Sequence, residues 1–383
     1  MTSAVTAARS LQPRIRAAAN EAEQQRRMSS GLAHDLAEAG LFRMLVPRSI
    51  GGLELDVRAI LEAIEAVAEA DASAGWCVMI GSTTGLLAAY LPTDLSRDIY
   101  GDPMMITGGV VAPMGKAILA NDTYSVTGRW RWTSGGQNCG WLGGGAVIIE
   151  DGQMRMLPNG MPDHRMMIFP AAEAELIDTW HTAGLCGTGS LDMQVKGLRV
   201  PRARSVSLLV DKPVEEGALY AFPAFGLLAL GIAAVTSGNA RGAAAEFMAL
   251  AANKKTAAGG KTLAQRAPVQ VTFAQAEAAL RGARALLFEE VEAAWAGAQQ
   301  GGAVSMAQRA ALRLAATHMA RTAATYVRTL HDEAGGAAVF LENTLQRRLR
   351  DAQTMTAHIM VAPATWELTG RVLLGQPTDA STL

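Results

Sequence analysis

The chain has 383 residues, half of them hydrophobic and 18% charged, with a formal net charge of −1. That balance belongs to a globular protein with room for two or three domains and excludes a disordered chain. Lysine and arginine are dispersed without a long basic run, which argues against nucleic acid as a partner.

The cysteines, Cys77, Cys139 and Cys186, are odd in number and lack metal-type spacing. Their apolar or glycine-rich contexts read as buried thiols in a reducing cytoplasm. The arginine-bearing N-terminus has no apolar core of the secretory type, so no signal peptide is expected. The most apolar stretch, 219–235, contains Pro223 and is short for a membrane span; a buried core helix is expected there.

Residues 1–104 read as a helical domain. The segment 11–28 is rich in Ala, Arg, Glu and Gln. Ser29 and Ser30 can cap a helix over 31–39 that stops at Gly40. Asp56 caps Val57–Ala70, where Ile60, Ile64 and Val67 form an apolar stripe. Asp71 opens a further helix to about residue 90. From about 105 to 220 the period moves toward two: Tyr124, Val126 and Gly128 alternate with Ser125, Thr127 and Arg129. Further strands are expected at 146–149, 166–169 and 192–200, giving a β-sandwich or barrel. The methionines at 166, 167, 355 and 360 read first as core, with an adaptable aromatic pocket as the other reading.

Residues 221–383 then carry four helical runs, 224–256, 262–299, 304–334 and 342–375. Gly259-Gly260, Gly301-Gly302 and Gly335-Gly336 separate them, as in an antiparallel bundle. The fold class is therefore α+β, ordered helices, β domain, four-helix bundle. In the last run, Leu345, Leu349, Ala352, Thr356 and Ile359 make one stripe. Arg347, Asp351, Met355 and His358 make a second, polar one. On a continuous helix Asp351 and His358 are roughly 10 Å apart along the axis, too far to bond directly. Alone, this stripe reads as a solvated face with a surface histidine.

The six histidines show no metal-ligand spacing, so no metal is expected. There is no nucleophile elbow or phosphate loop. Gly187-Thr188-Gly189-Ser190 lacks the third glycine of a dinucleotide fingerprint and reads as a tight turn before a strand. More specific is 128–136, where Trp130 and Trp132 alternate and then break into Thr133-Ser134-Gly135-Gly136. Aromatic bodies beside hydroxyls suit a flat heteroaromatic ligand. A second segment runs from Asp178-Thr179-Trp180-His181 through Gly187-Thr188-Gly189-Ser190 to Val200-Pro201. His181 reads as a structural residue at a strand edge rather than a catalytic one.

These two segments, with Leu41-Phe42…Val46-Pro47…Gly51-Gly52 and with Gly335-Gly336…Arg350-Asp351, resemble the acyl-CoA dehydrogenase superfamily of flavoproteins over nearly the whole chain. The resemblance implies flavin contacts from Trp132, Thr133, Ser134, Gly135, Thr188 and Ser190. It implies further contacts from Gln270, Gly335 and Gly336 at the phosphate or adenosine end, across a subunit boundary of a homotetramer. Its catalytic glutamate would fall near Ile359, where the chain has Ala357-His358-Ile359-Met360; 222–238 offers no carboxylate either. Without one, α-proton abstraction from a thioester has no agent.

The chain is more similar to the two-component flavin monooxygenases, which place a histidine where His358 falls. That resemblance implies reduced FMN or FAD from a separate reductase, a flavin hydroperoxide, and hydroxylation of a small aromatic or heteroaromatic substrate. His358 would move the proton and Ser134 would hydrogen-bond the flavin or its peroxide. A second histidine found in several such enzymes is missing from 76–86, where Ser82, Thr83 and Thr84 are the polar candidates. The alternatives are an acyl-CoA dehydrogenase using FAD on an acyl substrate with a non-standard base, or an inactive scaffold on the flavin fold.

Overall fold

The computed structural model describes residues 3–255, 260–301 and 303–383, so Gly259 and Gly302 lie outside the described residues. Five helices come first: α1 (Ala4–Gln25), α2 (Ser30–Glu38), α3 (Val57–Ala70), α4 (Ala72–Thr84) and α5 (Thr93–Tyr100). Caps read from sequence are in place. Asp56 accepts the Ala59 N–H and Asp71 the Ala74 N–H, each at 2.8 Å, which satisfies first-turn donors. The first helix begins earlier than expected, because Ser3 caps it and Pro13 is accommodated inside it. Nearly every residue of α4 is buried. The run Ala72–Tyr90 is long and apolar enough to cross a membrane, yet 89% of it is packed inside the protein.

The eight strands are β1 (Thr107–Ala120), β2 (Thr123–Thr133), β3 (Trp141–Glu150), β4 (Gln153–Met154), β5 (His164–Pro170), β6 (Glu175–Ile177), β7 (Leu191–Pro201) and β8 (Ser205–Val206). They form one sheet in the order β6-β7-β2-β1-β3-β5-β8, with β4 on β3; β1 and β3 run parallel and the other pairs antiparallel. The sheet curls on itself. Trp130 of β2 and Phe169 of β5 are two strands removed from pairing, yet their ring centroids lie 6.3 Å apart in a shared core. Glycine makes the room: a Cβ at Gly115, Gly128 or Gly144 would meet the Trp130 ring within 2.6 Å. The indole N–H donates to Gly145 O at 2.7 Å. The long strand β1 was not legible as such in the sequence. Met166 and Met167 point to opposite faces of β5, each into a core.

The helices resume with α6 (Ala218–Ala221), α7 (Ala224–Asn253), α8 (Ala267–Gln299), α9 (Met306–Ala334), α10 (Thr344–Met355) and α11 (Ala364–Leu373). The expected fourth run, 342–375, is two helices. α10 ends at Met355, a 3-10 turn covers Ile359–Val361, and Pro363 precedes α11. Proline disfavours helix in the residue before it, and the α-helix is interrupted over the eight residues 356–363. His358 therefore leaves the helical stripe on which the sequence placed it. α3, α4 and α7 pack so closely that a Cβ at Gly238 would lie 2.2 Å from Glu65 O.

Candidate functional site

The site is built where β2 breaks its register. Pairing with β7 shifts between Trp130 and Thr133, and Trp132 takes φ +74°, a rare conformation for a bulky side chain. The alternation that should put Trp132 on the face of Trp130 is thereby reversed. Trp130 is fully buried, whereas Trp132 is 58% exposed. Thr133, next in sequence, is fully buried and its hydroxyl has no partner.

From Ser134 runs a chain of hydroxyls. Trp76 Nε1 donates to Ser134 Oγ at 3.1 Å; Ser134 and Ser190 are 2.7 Å apart, Ser190 and Thr188 2.6 Å. Thr188 Oγ1 donates to Leu185 O at 2.8 Å. Each hydroxyl has one proton, so the carbonyl end fixes the direction. Thr188 spends its proton on the carbonyl, Ser190 donates to Thr188, and Ser134 donates to Ser190. Ser134 is left with acceptor capacity only. The Gly135 N–H binds Thr188 O at 2.8 Å, tying the two loops together.

Leu185, where the chain ends, is held by α10. Its N–H donates to Asp351 Oδ1 at 2.6 Å, in a left-handed conformation at φ +52°. A Cβ at neighbouring Gly184 would lie 2.2 Å from Arg350 O, so the loop lies directly on the helix. Arg350 bonds Ala183 O and Glu23, and Arg347 Nη1 bonds Asn20 Oδ1 at 2.6 Å, which clamps α10 to α1. Asp351 is buried, its Oδ2 has no partner, and burial together with the charge of Asp71 pushes its carboxyl up to about 7.

His358 lies in the interruption after α10. Its ring meets that of Trp76 edge-on, centroids 5.7 Å apart at 62°. Nδ1 accepts the Met360 N–H at 3.2 Å. Burial, with a smaller push from the Arg313 charge, brings the imidazole down to about 4. At neutral pH the ring is uncharged; since Nδ1 accepts, the proton is assigned to Nε2. His358 thus offers a donor, and offers a base only by giving up its Met360 bond.

Trp76 is the residue that sequence reading missed. It links Ser134, and through it Ser190 and Thr188, with His358. Its signal was its place one turn inside the Asp71-capped helix, where a histidine was sought. Ser82 and Thr83 bond carbonyls within their own helix, and Thr84 bonds Thr107 as well. Gln270, Gly335 and Gly336 are not in this cluster. Gln270 is exposed and bonds Ala264 O at 2.9 Å; Gly335, at φ +56°, ends α9, where Lys254 Nζ bonds Ala334 O at 2.5 Å. Along α9 the 22 residues from Arg313, beside His358, to Gly335 cover roughly 33 Å. His181 is a surface residue, 3.4 Å from Arg26, and Cys139 and Cys186 are only partly buried, against the expectation of buried thiols, which Cys77 alone meets.

The family model "Acyl-CoA dehydrogenase, N-terminal domain" matches residues 4–94 and "Acyl-CoA dehydrogenase, C-terminal domain" residues 230–363. The chain is 32% identical to an indole-3-acetate monooxygenase of Pseudomonas putida, over 95% of this chain and 91% of that one. It is 27% identical to the oxygenase component of an FADH2-dependent resorcinol hydroxylase of a Rhizobium species, over 94% and 90%. The crystal structure of the HsaA monooxygenase from Mycobacterium tuberculosis superposes with a TM-score of 0.91 at 26% identity, covering 100% of this chain and 99% of that one. Fold, motif order and relatives converge: the chain belongs to the acyl-CoA dehydrogenase superfamily and, within it, to the flavin-dependent monooxygenases.

Proposed function

We propose that the protein is the oxygenase component of a two-component monooxygenase that hydroxylates a small aromatic or heteroaromatic substrate. It takes reduced FMN or FAD from a separate reductase, as the component names of its relatives imply for those enzymes. The observation that carries this reading is His358 against Trp76. In the segment 356–363, where the dehydrogenases of this fold need a carboxylate, the only titratable side chain is this neutral imidazole. It cannot replace a glutamate as base for thioester chemistry without losing its backbone bond, whereas its Nε2 proton suits an oxygen-centred reaction.

The residues fit a flat, hydrogen-bonding cofactor. Trp132 holds an exposed ring in a strained conformation, and such strain persists where surroundings or ligands enforce it. Bound reduced flavin would supply the activation of dioxygen. Trp132 would pack beside it and Thr133, Ser134, Gly135, Thr188 and Ser190 would border it. Ser134, with acceptor capacity only, matches an N–H of the reduced ring. His358 would hold the proton to be moved at Nε2, and the Trp76 ring packs against that imidazole. Gln270, Gly335 and Gly336 lie too far along the bundle to serve the same site. We assign them to the flavin of a neighbouring copy in a homotetramer. The three free thiols fit a reducing cytoplasm.

The test supplies purified protein with chemically reduced FMN or FAD, oxygen and an aromatic acceptor such as resorcinol or indole, with flavin binding followed by tryptophan fluorescence. Hydroxylated product with tighter binding of reduced than oxidised flavin is expected. Tight oxidised FAD that an acyl-CoA bleaches would replace this reading by the dehydrogenase. No flavin binding in either redox state would leave a scaffold.

A further inference from the structure

Arg313 lies on α9, one turn before Thr317, whose hydroxyl bonds that of Thr365 at 2.8 Å just beyond the His358 turn. Residues four apart share a helix face, so Arg313 faces the segment that carries His358. It is 3% exposed. Among the described residues its guanidinium makes one hydrogen bond, Nη2 to Thr382 O at 2.6 Å, and its Nε is buried without a partner.

The other two buried arginines are satisfied differently. Arg43, whose Nε is likewise without a partner, donates through its Nη atoms to three backbone carbonyls, of Tyr100, Asp102 and Ile50. Arg348 pairs with Glu246 at 3.0 Å and reaches the carbonyls of Ala68, Glu69 and Ala70. At Arg313 no carboxylate offsets burial, which brings the guanidinium down to about 10. A buried cation without a counter-charge is costly. Its planar fork matches a carboxylate through two bonds at once.

We propose that Arg313 is a specificity-determining residue that receives the carboxylate of an aromatic acid, so that the preferred substrate is an aryl- or heteroarylalkanoate anion rather than a neutral arene. The inference rests on the aromatic-hydroxylation reading and adds the charge of the substrate to it. The anion would neutralise a guanidinium the fold leaves unpaired, and its ring would lie toward His358, which the same cation helps to keep uncharged.

The test compares indole-3-acetate with its neutral isostere indole-3-acetamide in the flavin-supplied reaction. Wild-type protein should favour the acid in kcat/KM by about tenfold or more, the scale of a charge-assisted bidentate pair. R313Q should erase most of that preference, the acid-to-amide ratio of kcat/KM falling through a higher KM for the acid. R313K should restore part of it. Equal turnover of acid and amide by wild type overturns the proposal even if the variants misfold. An R313Q loss that is the same for both compounds also overturns it, leaving Arg313 an anchor of the C-terminal segment. Hydroxylation of neither, nor of resorcinol or indole, would instead defeat the underlying monooxygenase reading.

Discussion

The indole N–H of Trp76 donates to Ser134 Oγ at 3.1 Å, at the head of a hydroxyl chain whose direction is set from its far end, where Thr188 must donate to the carbonyl of Leu185, Ser190 to Thr188 and Ser134 to Ser190. Because Ser134 can then only accept, it should discriminate between flavin redox states. S134A should weaken binding of reduced flavin by roughly three- to tenfold, the worth of one hydrogen bond, and change oxidised-flavin binding less. Fluorescence titration under anaerobic and aerobic conditions measures both. Equal losses for the two forms would refute the acceptor role.

His358 is the proton-bearing group this geometry offers. H358A should lower hydroxylation by about a hundredfold or more, the range of general acid–base catalysis, while reduced flavin still binds. Its folded pKa of about 4 lies below the ordinary 6.5. The stability this group contributes is present above pH 6.5 and lost as pH falls through about 4. The rate on a substrate without its own ionisation should accordingly show no histidine step near 6.5. A step there that vanishes in H358A would show that the imidazole is more solvated than its packing against Trp76 implies.

Much of this arrangement was legible in the sequence, and the reason is periodicity and capping. Asp56, Asp71 and the alternation of β2 each obey a local rule, and local rules place elements. Ser134 was found because hydroxyls beside aromatic bodies suit a flat ligand, whereas Thr188 and Ser190 came only from the family resemblance, their own glycine-rich run reading as a tight turn. What escaped was non-local. The break after Met355 depends on packing and on Pro363, eight residues on, so His358 was read onto a helix it does not occupy. Trp132 was read onto the face of Trp130, because a register shift against β7 leaves no mark within β2. Arg313 looked like any arginine on a helix; only burial without a carboxylate sets it apart.

Asp351 is the next group whose titration should be visible. Its carboxyl is raised from 3.8 to about 7, mainly by burial and then by Asp71, against the pull of the Leu185 N–H, Arg347 and Arg348. The sign follows from linkage. Below pH 3.8 both folded and unfolded chains hold the proton. Between there and about 7 the unfolded chain ionises first, so this group makes stability fall as pH rises. At about 1.4 kcal/mol per pKa unit the effect amounts to a few kcal/mol. D351N keeps an acceptor for Leu185 and cannot ionise. Its melting temperature relative to wild type should therefore rise as pH goes from about 4 to 8. Parallel melting profiles across that range would show that Asp351 does not titrate there.

The last prediction concerns the neighbouring copy. Val339, Phe340 and Leu341, just after Gly335-Gly336, are 70%, 67% and 82% exposed. Three consecutive large apolar side chains in water are unusual for a lone chain and mark an association surface. If that surface joins copies, and if Gly335, Gly336 and Gln270 reach a neighbour's flavin, both properties should fail together. A double change, Phe340→Glu with Leu341→Glu, should lower the mass in sedimentation and weaken flavin binding, with helical content unchanged by circular dichroism. Smaller assemblies with undiminished flavin affinity would confine the cofactor to one chain. An unchanged mass would place the subunit contacts elsewhere on the bundle.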